Sequence, residues 1–220
     1  MNRLQIRNIV KDIVKRTDLD SQIDIWINWA LTDISSAFNF RELSLLNSTL
    51  STTVGVKTYN FPSDCKAVRS VLLINGTNSR NLVLCKPFET DDSNPYPEAD
   101  SNAIPIKCVD NEDGTFDLIP IPNLVYPLKI RYYRWHPELL LDTDVPIFKG
   151  KDALIVYATI AEVYGAIEEG KSGELALWHS RYTNKLATVI RESGGIVSWS
   201  PTSKLLYAKS EDSIPNVPFS

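Results

Sequence analysis

The residues best spaced for chemistry are Gly165-Ala166-Ile167-Glu168-Glu169-Gly170-Lys171-Ser172, which satisfy the phosphate-cradling P-loop expression at every fixed position. That chemistry requires a strand running into the first glycine, backbone N–H groups wrapped around the phosphates, and a helix leaving after the Lys-Ser pair. Here the residues before Gly165 repeat with a helical period, Glu168 and Glu169 place two negative charges beside a polyanion, and 48 residues follow Ser172. A turn between two helices fits better. Nucleotide binding through Gly165–Ser172 stays open as an alternative, decided by whether binding disappears in Lys171→Ala.

The other chemistry-bearing groups read as structural. Asp110-Asn111-Glu112-Asp113-Gly114 has the acidity of a calcium loop, but its acids do not fall on alternating ligand positions and no Glu follows at the required offset. A hairpin tip is expected. Asp142 and Asp144 have no nucleophile or histidine placed with them and read as the turn before a helix. His136, before Pro137, and His179, beside Trp178, read as packing or hydrogen-bonding residues. Cys65, Cys85 and Cys108 form an odd set without CxxC spacing, so buried free thiols are expected and no metal centre. Catalytic, cofactor-binding and metal-ligating residues are therefore all predicted absent; the chain is not expected to be an enzyme or to carry a cofactor.

Charge narrows the partners. With 23 Lys plus Arg against 27 Asp plus Glu, the net charge is -4, which lacks the cationic excess that drives non-specific phosphate binding. Lys204, Lys209 and Arg80 form no basic run. A mildly acidic wall is compatible with DNA sliding past it. The opening MNRLQIRNIVKDIVKR is charged throughout, so neither signal peptide nor membrane span is expected, and the chain should be made and used in a reducing cytoplasm.

The elements that would position these residues follow from periodicity. Ile6, Ile9, Val10, Ile13 and Val14 recur at helical spacing. A second helix follows a capping box at Ser21 and Asp24, with Ile23, Trp26, Ile27, Ala30, Leu31, Ile34, Ala37 and Phe38 on its stripe. Ile25 and Trp29 lie off that stripe and are candidates for contact with a neighbour. From Leu43 short β-prone runs predict antiparallel strands: one hairpin pairs Val68–Ile74 with Leu82–Cys85 around Asn75-Gly76, another pairs Ile106–Val109 with Thr115–Ile119 around Gly114, and Leu128, Ile130 and Tyr132 share one face of a further strand. Residues 86–105, with four prolines, predict a long exposed loop. The helical period returns with Ala153, Leu154, Tyr157, Ile160, Ala161, Tyr164 and Ile167, then with Leu175, Trp178, Tyr182, Leu186, Val189 and Ile190, closed by Gly194-Gly195.

The predicted fold is α+β: a four-helix bundle formed by residues 1–42 and 138–195, an inserted antiparallel β subdomain over 43–137, and an extended C-terminal arm over 196–220. Within that arm Trp199, Leu205, Leu206 and Tyr207 are too apolar for a purely solvated tail and are further interface candidates.

Several of these segments together resemble a known family. Trp26-Ile27-Asn28-Trp29-Ala30-Leu31, the Tyr59-Asn60-Phe61-Pro62-Ser63-Asp64 turn, Leu118-Ile119-Pro120-Ile121-Pro122, Ile130-Arg131-Tyr132-Tyr133, and Asp152-Ala153-Leu154-Ile155-Val156-Tyr157-Ala158 followed by a helix with Trp178 and Tyr182 are similar, in order and spacing, to head-to-tail adaptor proteins of tailed bacteriophages. The resemblance spans residues 3–193. It implies a structural virion protein of the neck, assembled in the host cytoplasm, that forms a ring, commonly a dodecamer, beneath the portal protein. It further implies that a nozzle or tail-tube protein binds below and that DNA passes through the lumen without sequence-specific contact. A tail module that recognises carbohydrate or another surface through aromatics such as Tyr96 is the remaining alternative.

Overall fold

A computed structural model describes residues 1–88, 102–167 and 172–194. Those residues fall into two compact units, one formed by Met1–Glu42 with the chain from His136 onward, the other by Leu43–Trp135.

The first unit holds helices α1 (Arg3–Val14), α2 (Asp20–Ala37), α3 (Asp152–Ile167) and α4 (Ser172–Glu192). α1 begins at a reciprocal cap between Asn2 and Gln5 and ends where Lys15 takes the left-handed conformation. α2 begins one residue before Ser21 with no side-chain cap; Asp24 does not close the expected capping box and is bound by Arg7 instead. The helices are not a four-helix bundle, and α3 shows why. Leu154, Ile155, Val156, Thr159, Ile160 and Val163 are all buried, covering more of its circumference than one stripe, while Ala153 on the predicted stripe is exposed. A helix apolar on most sides must be surrounded, so α3 lies at the centre and packs against α1, α2 and α4.

Among its described residues the Leu43–Trp135 unit holds eight strands, β1 (Ser44–Asn47), β2 (Thr58–Asn60), β3 (Cys65–Asn75), β4 (Asn78–Asn81), β5 (Val83–Cys85), β6 (Lys107–Asp110), β7 (Thr115–Ile119) and β8 (Leu128–Arg134). They form two four-stranded sheets, ordered β1-β8-β3-β4 and β2-β7-β6-β5, which replace the single antiparallel subdomain read from the sequence. One pair, β5 with β6, is parallel. The first hairpin also differs: Gly76, at φ 58°, turns the chain immediately, so β3 pairs with the polar β4, while β5 joins the other sheet. Polarity hid β4. The second hairpin forms as predicted, β6 with β7 around Gly114 at φ 90°. Val71, Leu73, Leu128 and Ile130 from one sheet meet Cys108, Phe116 and Leu118 from the other in one core, where Phe116 stacks on Phe61 at 4.5 Å between ring centroids.

A polar cluster sits among the helices. The Tyr182 hydroxyl of α4 donates to Asp33 of α2, and burial together with that carboxylate raises the phenol's pKa. Glu162 of α3 is also shifted upward, first by burial and then by Asp33, against an opposing effect of His179. A carboxyl whose folded pKa lies above its unfolded value costs stability once pH rises through the folded value and costs nothing below the unfolded one, about 4.3. Glu162→Gln should therefore raise the urea midpoint at pH 7, with the advantage shrinking to nothing near pH 4. An advantage of equal size at both pH values would show that the cause is not ionisation.

Candidate interaction surfaces

In the helical unit one ionic cluster joins segments far apart in sequence. Arg7 grips Asp24 through both carboxylate oxygens, Nε to Oδ1 at 2.8 Å and Nη2 to Oδ2 at 2.6 Å, and reaches Asp142 Oδ1 at 2.5 Å. Arg3 donates to the same Asp142 oxygen at 2.9 Å and to the Leu139 carbonyl at 3.0 Å. The Arg3 and Leu4 amides donate to the carbonyls of Asp144 and Asp142. A forked, rigid guanidinium suits two carboxylates from different directions, which a lysine ammonium would not hold in one geometry. Hydrogen bonds from Arg3 and then Arg7 hold the Asp142 carboxyl below its ordinary range. That contribution is complete above the unfolded carboxylate value, about 3.9, and is lost as pH falls through the lower folded value.

The loop after β8 is fixed at two further points. Asn28 accepts from the Leu139 amide at 2.9 Å and donates to the Leu139 carbonyl at 3.3 Å. Asp144 Oδ2 accepts from the Leu140 and Leu141 amides at 2.8 and 2.7 Å. Leu139 is buried, but Leu140 and Leu141 are left 70% and 63% exposed. Ile25 and Trp29, one turn apart on α2 and flanking Asn28, are 50% and 57% exposed. Trp29 follows Asn28 along the helix and Leu140 follows Leu139 along the loop, so the Asn28–Leu139 junction brings these exposed apolar residues into one neighbourhood of the helical unit, called the apolar patch below. Exposed apolar groups on a rigid base mark an interaction site, because little entropy remains to be lost when a partner covers them.

A second surface lies on the β unit. Thr52 binds Tyr126 and Leu124 through its amide and hydroxyl, the Gly55 amide donates to the Pro122 carbonyl at 3.0 Å, and the Tyr59 hydroxyl bonds to Thr53 and Val56. Two loops are thereby fastened side by side, with Val54, Val56, Leu124 and Val125 between 40% and 63% exposed. Residues 118–128 carry no charge at all. An uncharged apolar tip fits an uncharged partner surface, since a charge buried against it would have no counter-ion.

Of the interface candidates, Ile25 and Trp29 are exposed on α2, and Trp199, Leu205, Leu206 and Tyr207 lie outside the described residues. Leu140, Leu141, Leu124 and Val125 were missed. Three successive leucines between Glu138 and Asp142, and an uncharged run of eleven residues, were the available signals.

The groups considered for chemistry are occupied otherwise. Gly165 lies within α3, so a helix stands where a P-loop needs a strand, and Lys171 lies outside the described residues, as does Tyr96. Asp110 and Asp113 accept from the Glu112 and Thr115 amides and shape the hairpin tip. His136 accepts at Nε2 from the Ile147 amide and packs on Phe148. Cys65, Cys85 and Cys108 are free thiols; burial pushes Cys65 up to about 11 and Cys108 up to about 12, which keeps both protonated and poorly nucleophilic at neutral pH. Cys65 lines a groove of about 460 Å³ on the β unit with Lys86, Asp110 and Glu112, where Lys86 pairs with Glu112 at 2.5 Å. Among the described residues no cluster of three His, Cys, Asp or Glu could hold a metal ion, and no helix is long and apolar enough to cross a membrane.

Over residues 1–203 the chain matches the model of the SU10 adaptor protein family, and it belongs to that family of phage head-tail adaptors. No curated protein matches the chain.

Arg7→Ala removes the cation that grips Asp24 through both oxygens and leaves Arg3, 3.7 Å from Asp24 and 2.9 Å from Asp142, to answer both carboxylates. At this half-buried site the loss should be about 2 kcal/mol, between the ~0–1 of an exposed pair and the ~3–5 of a buried one. Urea unfolding at pH 7 measures it; a loss under about 0.5 kcal/mol would mean that the cluster does not fasten the loop.

Proposed function

We propose that this phage adaptor forms a ring beneath the portal protein, twelve copies around a lumen through which the genome passes, with a nozzle or tail-tube protein attached below. The apolar patch of Ile25, Trp29, Leu140 and Leu141 on its ionic base carries the reading. A ring needs one face of each subunit to meet a different face of the next, and two separate apolar surfaces, one on the helical unit and one on the β unit, supply such faces. The net charge of -4 suits a passage that does not retain DNA. In this reading the C-terminal arm, with Trp199, Leu205, Leu206 and Tyr207, clasps a neighbouring protein once assembly begins. The protein then belongs to the virion neck and is assembled in the host cytoplasm.

The test is reconstitution with the purified portal of the same phage, imaged by electron microscopy and quantified by sedimentation. A ring on the portal is expected from the natural chain. Trp29→Asp, if it unfolds at the same urea concentration as the natural chain, should weaken portal or ring association at least about 30-fold, the scale of a central aromatic hot spot. Undiminished assembly by this variant would remove the patch from the interface, and no complex with the natural chain would remove the portal-docking reading itself.

A further inference from the structure

The apolar patch has a matching occupant in the same chain. Around it, Arg3 and Arg7 balance Asp24 and Asp142, which leaves Glu138 and Asp144 as the net negative charges beside Leu139, Leu140 and Leu141. Beyond Gly194 the sequence contains the inverse arrangement, Lys204-Leu205-Leu206-Tyr207-Ala208-Lys209, with no acidic residue between Gly194 and Lys209. Three large apolar residues between two cations thus answer exposed leucines between two carboxylates.

We propose that in the free subunit the Lys204–Lys209 segment folds back onto its own helical unit, laying Leu205, Leu206 and Tyr207 over Trp29, Leu140 and Leu141 with its lysines toward Glu138 and Asp144. Reach permits it. Leu205 follows Gly194 by eleven residues, a span of up to ~36 Å when extended, whereas a unit of about 100 residues has a radius of gyration near ~13 Å. A tether of this length holds the segment at roughly millimolar effective concentration, so its own patch is favoured over that of a second copy at micromolar concentrations. An uncovered patch of this kind would otherwise promote self-association of the free protein.

This rests on reading the patch as an assembly surface and adds a control to it: patch and arm conceal each other until a portal or neighbour displaces one of them. The same change frees the arm to clasp its own target. Assembly would thereby start at the docking site and not in solution.

The experiment uses the full chain alone, so its result is independent of whether portal binding succeeds. A photo-crosslinking benzoylphenylalanine replaces Trp29, or in a second variant Leu140, and the irradiated product is digested and mapped by mass spectrometry. Links to residues 199–209 in a product of single-chain mass are expected. Leu205→Asp with Leu206→Asp should reduce their yield at least about fivefold, Glu138→Lys should reduce it as well, and Lys204→Glu combined with Glu138→Lys should restore it. Links that persist at full yield in the double-aspartate variant, or that appear in products of two-chain mass, would overturn the proposal.

Discussion

Arg7 answers two carboxylates that arrive from opposite sides of a long insertion, and the helical unit depends on that meeting. Asp24 is 17 residues away and Asp142 is 135 residues away. The Asn28–Leu139 pair makes a second connection of the same kind, over 111 residues. A unit assembled from two remote parts of the chain must pay the entropy of closing the intervening loop, and contacts that form only on correct closure reward the right arrangement and no other. Apolar burial supplies most of the stability of such a unit, while the directional bonds decide which segments face each other.

The same bonds explain why leucines can stand exposed. Asp144 holds the backbone of residues 140 and 141, Asn28 holds residue 139, and Arg3 draws the loop toward α1. With the backbone held by these bonds, Leu140 and Leu141 stand exposed. At the tip of the β unit Thr52 and Tyr59 accomplish the same for Val54 and Leu124. Rigid apolar projections supported by satisfied polar groups suit a protein whose chemistry is attachment, and they agree with membership in the SU10 adaptor protein family.

Much of the fold was legible because single elements obey simple periods. α2 buries Ile23, Trp26, Ile27, Ala30, Leu31 and Ile34, and β8 buries Leu128, Ile130 and Tyr132, each as its spacing required. What periodicity could not supply was the partner of each element. β4, Asn78–Asn81, is exposed along its whole length and has no apolar face to announce it. β5 pairs in parallel with β6, a choice fixed by the core around Cys108 and Leu118 and not by any turn signal. Ile155 and Val156 of α3 could not be separated from a surface position by a one-stripe reading, since burial on several sides leaves little amphipathic contrast. At the candidate site, Ile25 and Trp29 stood out by departing from a stripe, whereas Leu140 and Leu141 owe their exposure to Asp144 and Asn28, a three-dimensional cause with no local signature.

The discontinuity of the helical unit also has a temporal side. Helices α1 and α2 leave the ribosome before the β unit, and about ninety residues of that unit are made before α3, which packs against both. At roughly 5–20 residues per second that interval is on the order of 5–20 s. For those seconds α1 and α2 have each other but not α3, so the apolar side that α3 later meets stays open to water or to a chaperone.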